Sequence, residues 1–359
     1  MKKIFISILA IAALAACAKT GVEYDEPAEI GFSVVAGNIT KAVVDGTTFP
    51  TGLNMYVFAE TNDNTADASD YINNALFSHK GKANGTSVEV WGGATKSYYW
   101  PNVKTLHFAG YSASGNATAG TYNWNTGVLS ISGYTPGEGT GEGANDLMWF
   151  PSTALKRAAG YSKADKYVDV DMYHTCAWIT FIVKGDNVTS GSYKVTAMSM
   201  TEIDKTADVT CSATASTTDD ATTVTPNIVW TNNTNKTGNE TKYTVPVVTG
   251  GVVLNTTGLN VETNAVYPTE GNTTGNIVII PQVPGKLNLS YTYKSSTDAD
   301  IVENVEGLDL KITETATDAN NKWEPGKHYI YTITIKANEI LIAPTPVDWD
   351  DQNWFVTVE

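Results

Sequence analysis

Apolar and polar residues alternate with a period of two along most of the chain, whereas the longer period of an amphipathic helix does not recur. Ile30, Phe32 and Val34 share one face of such an alternation. Residues 53–59 are apolar on both faces, as in a strand buried between two layers. Residues 331–336 place Tyr and Ile on one face and Thr and Lys on the other. The pattern predicts an all-β protein.

The alternation changes register once. Residues 168–172 place the apolar face on even positions, but residues 177–183 place it on odd positions. A change of one residue turns every following side chain to the opposite face of the sheet. We therefore expect a bulge or a corner at residues 174–176.

Turn-forming residues cluster between the predicted strands. Residues 213–240 are one such cluster, rich in Thr, Asn, Asp and Ser, and are expected to be loop. Residues 184–192 form another cluster near the middle of the chain and predict a domain junction. Residues 155–166 are expected to form the one short helix.

The first residues have the features of an export signal. A largely apolar run from Ile4 to Ala16 follows two lysines and is too short to cross a hydrocarbon layer of ~30 Å as a helix. The run leads into Leu-Ala-Ala-Cys at residues 14–17, which resembles the lipobox of bacterial lipoproteins. We therefore expect a signal peptide at residues 1–16 and a lipid on Cys17 that attaches the protein to the outer membrane. The alternative is an ordinary signal peptide followed by a chance cysteine.

Composition narrows the classes of partner. The chain has 359 residues, 23 basic and 38 acidic side chains, and a formal net charge of −15. This charge repels phosphate backbones and argues against nucleic acid as a partner. Three cysteines are too few for a disulfide scaffold. Cys176 and Cys211 either form one bridge in the oxidising compartment that export implies or stay as two buried thiols, and the sequence leaves both alternatives open.

No motif carries catalytic chemistry. The four histidines lack metal-ligand spacing, and neither HExxH nor GxSxG occurs. We expect His174 to be a structural hydrogen-bonding residue, and the glycine-rich run at 137–143 to be a surface loop. The sequence therefore predicts a protein that is not an enzyme and that needs no cofactor or metal.

Aromatic residues are dense in the first half of the chain. They include Trp91, residues 98–100, Trp124 and residues 149–150. Exposed rings of this kind stack on sugars, but in a β protein we expect them to fill the core and the ends of the sheets.

Four further segments follow one another in a specific order. They are residues 40–42 with 49–58, residues 98–101 with 106–111, residues 146–148 with 168–181, and residues 323–331 with 340–349. Their order and spacing resemble those of the fimbrillin family, the lipoprotein pilins of Bacteroidales. The resemblance implies two transthyretin-like (Greek-key) β-sandwich domains in tandem. A propeptide at residues 17–41 would precede a first domain at 42–184 and a second domain at 185–359.

The resemblance also implies a mode of assembly. In stalk subunits of this family, an Arg- or Lys-specific protease removes the first strand, and a strand of a neighbouring subunit fills the groove. The matching cleavage site lies between Lys41 and Ala42, with Lys where Arg is common. The removed strand is expected to be the one that carries Ile30, Phe32 and Val34.

The strand that fills the groove is expected to be the carboxy-terminal tail. Its apolar residues are Ile340, Leu341, Ile342, Trp349, Trp354, Val356 and Val358. We expect Pro344 and Pro346 to keep this tail from pairing in the sheet of its own subunit.

These features favour a structural stalk or tip subunit of a cell-surface fimbrium that serves cell adhesion and biofilm formation. Its partners would be other fimbrial subunits, and a glycan or host-surface ligand stays open. The alternative is a monomeric outer-membrane lipoprotein that binds glycans or anchors a fimbrium. A secreted hydrolase is a third class, for which no nucleophile and base can be identified.

Overall fold

The computed structural model describes residues 28–34, 49, 51–61, 70–102, 104–112, 119–136, 146–186, 193–218, 221–232, 242–261, 277–295, 297–313, 315–317, 320–336 and 340–348. These residues form 22 strands, numbered here in chain order, and one short 3₁₀ turn at Thr153–Leu155. The all-β prediction is confirmed. Within the described ranges there is no helix that is long and apolar enough to cross a membrane.

Eight strands form the N-terminal sheet. In spatial order they are Tyr173–His174 (β10), Met148–Phe150 (β8), Leu106–Ser112 (β5), Met55–Thr61 (β2), Asp70–Lys82 (β3), Glu89–Gly93 (β4), Phe32–Val34 (β1) and Val168–Val170 (β9). Neighbours are antiparallel except β1 and β9, which are parallel. The sheet buries its inner side chains in one cluster, the N-terminal core, which includes Phe32, Phe77 and Phe108.

Two five-stranded sheets enclose the C-terminal core. The first contains Leu259–Asn260 (β17), Ala177–Gly185 (β11), Lys327–Ile335 (β21) and Ile340–Asp348 (β22), with Ile277–Ile279 (β18) beside β11. The second contains Tyr243–Val245 (β15), Tyr193–Thr201 (β12), Lys286–Lys294 (β19) and Asp300–Asp309 (β20), with Val252–Val253 (β16) beside β12. The predicted alternation at residues 331–336 is confirmed, because Tyr331, Ile333 and Ile335 lie in this core.

A four-stranded sheet joins the two halves of the chain. Its order is Ala221–Asn232 (β14), Ala207–Thr218 (β13), Val128–Tyr134 (β7) and Thr121–Asn123 (β6). We call it the junction sheet, because β7 comes from the first half and pairs antiparallel with β13 of the second. A third cluster, the junction core, packs against it and includes Trp149, Cys176, Cys211 and Trp230.

The predicted corner at residues 174–176 is confirmed. β10 ends at His174 in the N-terminal sheet, and β11 begins at Ala177 in a C-terminal sheet. The register of the alternation changes at the point where the chain passes from one sheet to another. The predicted domain boundary between residues 184 and 185 falls at the end of β11, whose partners β17, β18 and β21 all follow it in the chain.

Two predictions of local structure are wrong. Residues 155–166 contain turns beyond the 3₁₀ segment but no helix, since Gly160 takes a φ of +71° and Tyr161 forms a bridge to Leu106. Residues 213–240 are not all loop, because 213–218 and 221–232 belong to the long hairpin of β13 and β14. Threonine has a high strand propensity, so a Thr-rich segment that resembles a loop in composition pairs readily as a strand.

His328 is a buried histidine in β21, a strand of the first C-terminal sheet. Its ring stacks on Trp178 with the centroids 3.6 Å apart, and its Nε2 lies 2.9 Å from Oγ1 of Thr180. Burial lowers the pKa of His328 to about 3, whereas histidine in an unfolded chain has a pKa of about 6.5.

This difference makes His328 a source of acid sensitivity. Between the two pKa values the unfolded chain binds the additional proton. The contribution of His328 is therefore complete above about pH 6.5 and falls by about 1.4 kcal/mol per pH unit as the pH drops towards 3. In a His328→Gln variant, the free energy of unfolding is expected to fall less steeply with pH between pH 7 and pH 4. Urea unfolding at a series of pH values in this range measures that dependence. An unchanged slope would contradict the expectation.

Candidate functional site

β1 is inserted between two strands and is bonded to the chain on both sides. Phe32 lies opposite Trp91 of β4 on one side and Val168 of β9 on the other. The hydrogen bonds extend past the strand: Ile30 N donates to Tyr98 O at 2.7 Å, and Val168 N donates to Gly31 O at 2.9 Å. The segment is therefore an interior strand of the N-terminal sheet.

The inner face of β1 fills the N-terminal core. Ile30, Phe32 and Val34 are 2%, 0% and 4% exposed. The ring of Phe32 meets those of Phe77 and Phe108 edge-on, with both centroids at 5.2 Å. Burying apolar side chains of this size stabilises a fold by about 1.5–3 kcal/mol each. The predicted one-sided apolar pattern is thus the pattern of a strand that closes a core.

The outer face of β1 is covered as well. A Cβ on Gly31 would lie 3.0 Å from Val90 and 3.1 Å from Tyr167, so a glycine fits there without displacing either side chain. Ser33 is buried. Burial raises the pKa of the neighbouring Asp169 carboxyl, and a hydrogen bond from Ser33 opposes that shift. Loss of β1 would therefore open the sheet on both faces.

Unlike β1, which is an interior strand, β22 lies at the edge of its sheet. It pairs antiparallel with β21 from Lys327↔Asp348 to Ile335↔Ile340 and has no described strand on its other side. Ile340 and Ile342 pack against the C-terminal core, whereas Leu341 is 41% exposed. The strand is amphipathic and, within the part of the chain that the structure describes, is bonded to another strand on one side only.

The expectation that Pro344 and Pro346 keep the tail from pairing in its own sheet is wrong. Pro344 lies opposite Tyr331, and Pro346 lies opposite Tyr329. The two prolines are two residues apart, so both nitrogens, which carry no hydrogen, face the same edge of β22. An edge strand accepts proline where that nitrogen faces outward. The same arrangement removes two donors from the free edge and disfavours unspecific pairing there.

The predicted site residues fall into two separate places. Phe32 and Val34 lie in β1 and Ile30 lies just before it, whereas the residues from Ile340 to Ile342 lie in β22 of a different sheet. The other predicted site residues lie outside the described residues; they are Cys17, Lys41, Ala42, Trp349, Trp354, Val356 and Val358. The groove that β1 fills and the strand that would fill it are thus in different sheets of one chain.

The aromatic residues belong mainly to the core, as expected. Trp91, Trp100, Trp149 and Phe150 are buried, and Tyr98 and Trp124 are half-buried against the cores, whereas Tyr99 is exposed. The four buried rings therefore offer no face on which a sugar could stack. His174 has the expected structural role, with Nδ1 2.5 Å from a carboxylate oxygen of Asp146 in the interior.

The comparisons identify the family. A model described as fimbrillin-like matches residues 40–349. The chain belongs to the fimbrillin-like family. This match confirms the resemblance seen in the sequence and covers most of the chain. Fimbrillin-like proteins are structural subunits of cell-surface fimbriae, so membership favours a fimbrial role in adhesion over catalysis. No curated protein matches the sequence.

Solved structures with similar chains include two fimbrial proteins. One is a fimbrial protein from Bacteroides vulgatus ATCC 8482, with 14% identity over 89% of this chain and 99% of that chain and a TM-score of 0.48. The other is the tip fimbrial protein Mfa3 from Porphyromonas gingivalis with C-terminal truncation, with 8% identity over 89% of this chain and 98% of that chain and a TM-score of 0.31. The identification as a fimbrillin-like protein rests on the family match.

Proposed function

We propose that this fimbrillin-like protein is a stalk or tip subunit that polymerises by strand exchange after removal of β1. The observation that carries the proposal is the position of β1. It is a strand of three residues whose first residue, Phe32, is fully buried in the N-terminal core and pairs with both β4 and β9. A strand so short, yet bonded on both sides, is a unit that can be replaced by another strand.

Removal of β1 would create a site with two requirements. Phe77, Phe108 and Phe150 would face an empty groove, since all three rings now pack around Phe32. The facing edges of β4 and β9 would also lose their hydrogen-bond partners. An incoming strand with apolar residues at alternate positions meets both requirements at once.

β22 has the properties of such an incoming strand. Ile340 and Ile342 lie on one face and Leu341 on the other. Its release breaks one ladder of hydrogen bonds, whereas release of β1 breaks two. The proposed donor is therefore the tail of a neighbouring subunit that begins with β22 and continues through Trp349 to Val358.

The proposal includes the route to the cell surface. Residues 1–16 direct export, and lipidated Cys17 holds the protein at the outer membrane until cleavage between Lys41 and Ala42 removes the propeptide at 17–41. The two parts at 42–184 and 185–359 are proposed to be transthyretin-like sandwiches in tandem, with β11, which ends at the boundary, completing a sheet of the second part. The family match begins at residue 40, which leaves β1 outside the matched range and supports its being a removable segment.

The test is the state of the protein in surface appendages isolated from the native cell. The amino-terminal residue is determined by sequencing, and the same material is run in SDS without heating. The wild type is expected to start at Ala42 and to give oligomer ladders that disappear on heating. A Lys41→Gln variant is expected to give neither. A Lys80→Gln variant, which changes an exposed lysine of β3, is the matched control and is expected to behave like the wild type.

Two results would contradict the proposal. A lipidated Cys17 on a monomeric wild-type protein would favour the alternative of a surface lipoprotein that binds glycans or anchors a fimbrium. Ladders of equal intensity in the Lys41→Gln variant would show that polymerisation does not require cleavage at this site.

A further inference from the structure

We infer that Cys176 and Cys211 form a disulfide bond that fastens the corner after β10 to strand β13 of the junction sheet. The sequence leaves open whether these two residues meet. In the structure both are free thiols, buried side by side in one cluster, the junction core, and each lies near enough to affect the charge of the other. No other cysteine lies among the described residues.

The hairpin of β13 and β14 directs Cys211 towards the corner. Cys211 lies opposite Ile228, and Val209, two residues earlier on the same face, lies opposite Trp230. The indole Nε1 of Trp230 donates to the carbonyl oxygen of Thr175 at 2.6 Å. The face of the hairpin that carries Cys211 is therefore covered by the backbone immediately before Cys176.

The corner is held in place by other hydrogen bonds. The backbone N of Thr175 donates to the carbonyl oxygen of Leu147 at 2.9 Å, and its hydroxyl donates to the same oxygen at 2.7 Å. Gly326 N donates to the carbonyl oxygen of Cys176 at 2.8 Å. These contacts fix the backbone at Thr175 and Cys176, so bond formation with Cys211 adds a covalent link within a core that is already packed.

The environment of the two thiols determines when the bond can form. Burial raises the pKa of both thiols, and proximity to Cys176 raises that of Cys211 further. Because the thiolate is the reactive form, the folded pair reacts slowly with any oxidant or reductant. The bond is therefore made while the chain folds and is protected once the junction core has closed.

The reaction is an exchange with a disulfide oxidant. One cysteine thiolate attacks the oxidant and displaces one of its sulfurs as a thiol, which leaves a mixed disulfide. The second cysteine attacks the protein sulfur and displaces the other oxidant sulfur. The protein loses two hydrogens, as two protons and two electrons, and the oxidant is reduced to two thiols. In the cell this step needs the predicted export to an oxidising compartment.

The test uses the full chain with Cys17→Ser, so that only the two junction thiols remain. The protein is refolded with oxidised glutathione, denatured, and treated with N-ethylmaleimide without reduction. Mass spectrometry is expected to find no label and a peptide that links Cys176 to Cys211. Prior reduction is expected to restore two labels. When the same oxidant is added to the folded, reduced protein, the disulfide is expected to form at least tenfold more slowly than it does during refolding.

A matched control separates the bond from general effects of the oxidant. Oxidation is expected to raise the thermal midpoint of the two-cysteine protein but not that of a Cys176→Ala, Cys211→Ala variant. The inference would be overturned if protein that has refolded to its native fold in the presence of the oxidant still takes up two N-ethylmaleimide labels. A disulfide that joins two chains would also overturn it. The test requires neither a fimbrium nor cleavage, so its outcome is independent of the proposed function.

Discussion

Replacing Phe32 by alanine is expected to lower the free energy of unfolding of the uncleaved chain by about 3–5 kcal/mol. The side chain is fully buried, and three aromatic rings pack around it, so its loss leaves a cavity in the N-terminal core among Phe77, Phe108 and Phe150. A close-packed interior closes such a cavity only in part. Urea unfolding followed by tryptophan fluorescence measures the change.

Tyr99 provides the matched control. It lies beside the same segment, since it forms a bridge to Glu29, but its side chain is 41% exposed. A Tyr99→Ala variant is expected to change the free energy of unfolding by less than about 0.5 kcal/mol. Equal losses in the two variants would contradict the view that Phe32 is the residue that seals the core.

The same substitution also tests strand exchange. After cleavage at Lys41, β1 is held only by non-covalent contacts. If Phe32→Ala weakens these contacts by 3 kcal/mol or more, as its effect on stability implies, the cleaved strand is expected to dissociate about a hundredfold faster. The displaced peptide can be followed by size-exclusion chromatography of the cleaved protein. A release rate that is unchanged would show that β1 is retained by contacts other than those of Phe32.

The strands that the sequence predicts well are those with strict alternation. β1 and β2 were expected from their apolar faces, and the corner at residues 174–176 from a change of register, because each signal is local and follows from the period of two. The hairpin of β13 and β14 was missed, because its many threonines suggest a loop by composition although they pair well as strands. The absence of a helix at 155–166 depends on Gly160 and on the bridge between Tyr161 and Leu106, a tertiary contact.

Much of the site depends on pairings between distant segments. The sequence placed Phe32 on an apolar face, but only the fold shows that β4 and β9 flank it. The sequence also attributed a blocking role to Pro344 and Pro346, which is correct for an interior strand and wrong for an edge strand. Nothing local distinguishes the two cases, because the position of a strand in its sheet is set by its partners.

Replacing Ile340 and Ile342 together by serine is expected to abolish polymer formation. Both side chains pack against the C-terminal core of their own subunit, and the proposal requires the same face to enter the groove of the next subunit. The variant is expected to lose about 2–5 kcal/mol of stability, since two part-buried apolar side chains are removed. Polymer yield is measured as ladders in unheated SDS, and retention of the fold by far-ultraviolet circular dichroism.

A variant on the outward face of β22 is the control that separates the loss of polymer formation from the loss of stability. Leu341 and Ala343 are both exposed, so their joint replacement by serine is expected to leave stability within about 0.5 kcal/mol and to leave the ladders unchanged. Folded protein of the Ile340 and Ile342 variant that still gives wild-type ladders would contradict the donor role, because a serine face cannot fill an aromatic groove. Loss of ladders in the outward variant alone would instead place the subunit contact on the solvent side of β22. The two variants change neighbouring residues of one strand and differ in the face of the strand that is altered. Strand exchange depends on that face, because only the apolar face enters the groove of the next subunit.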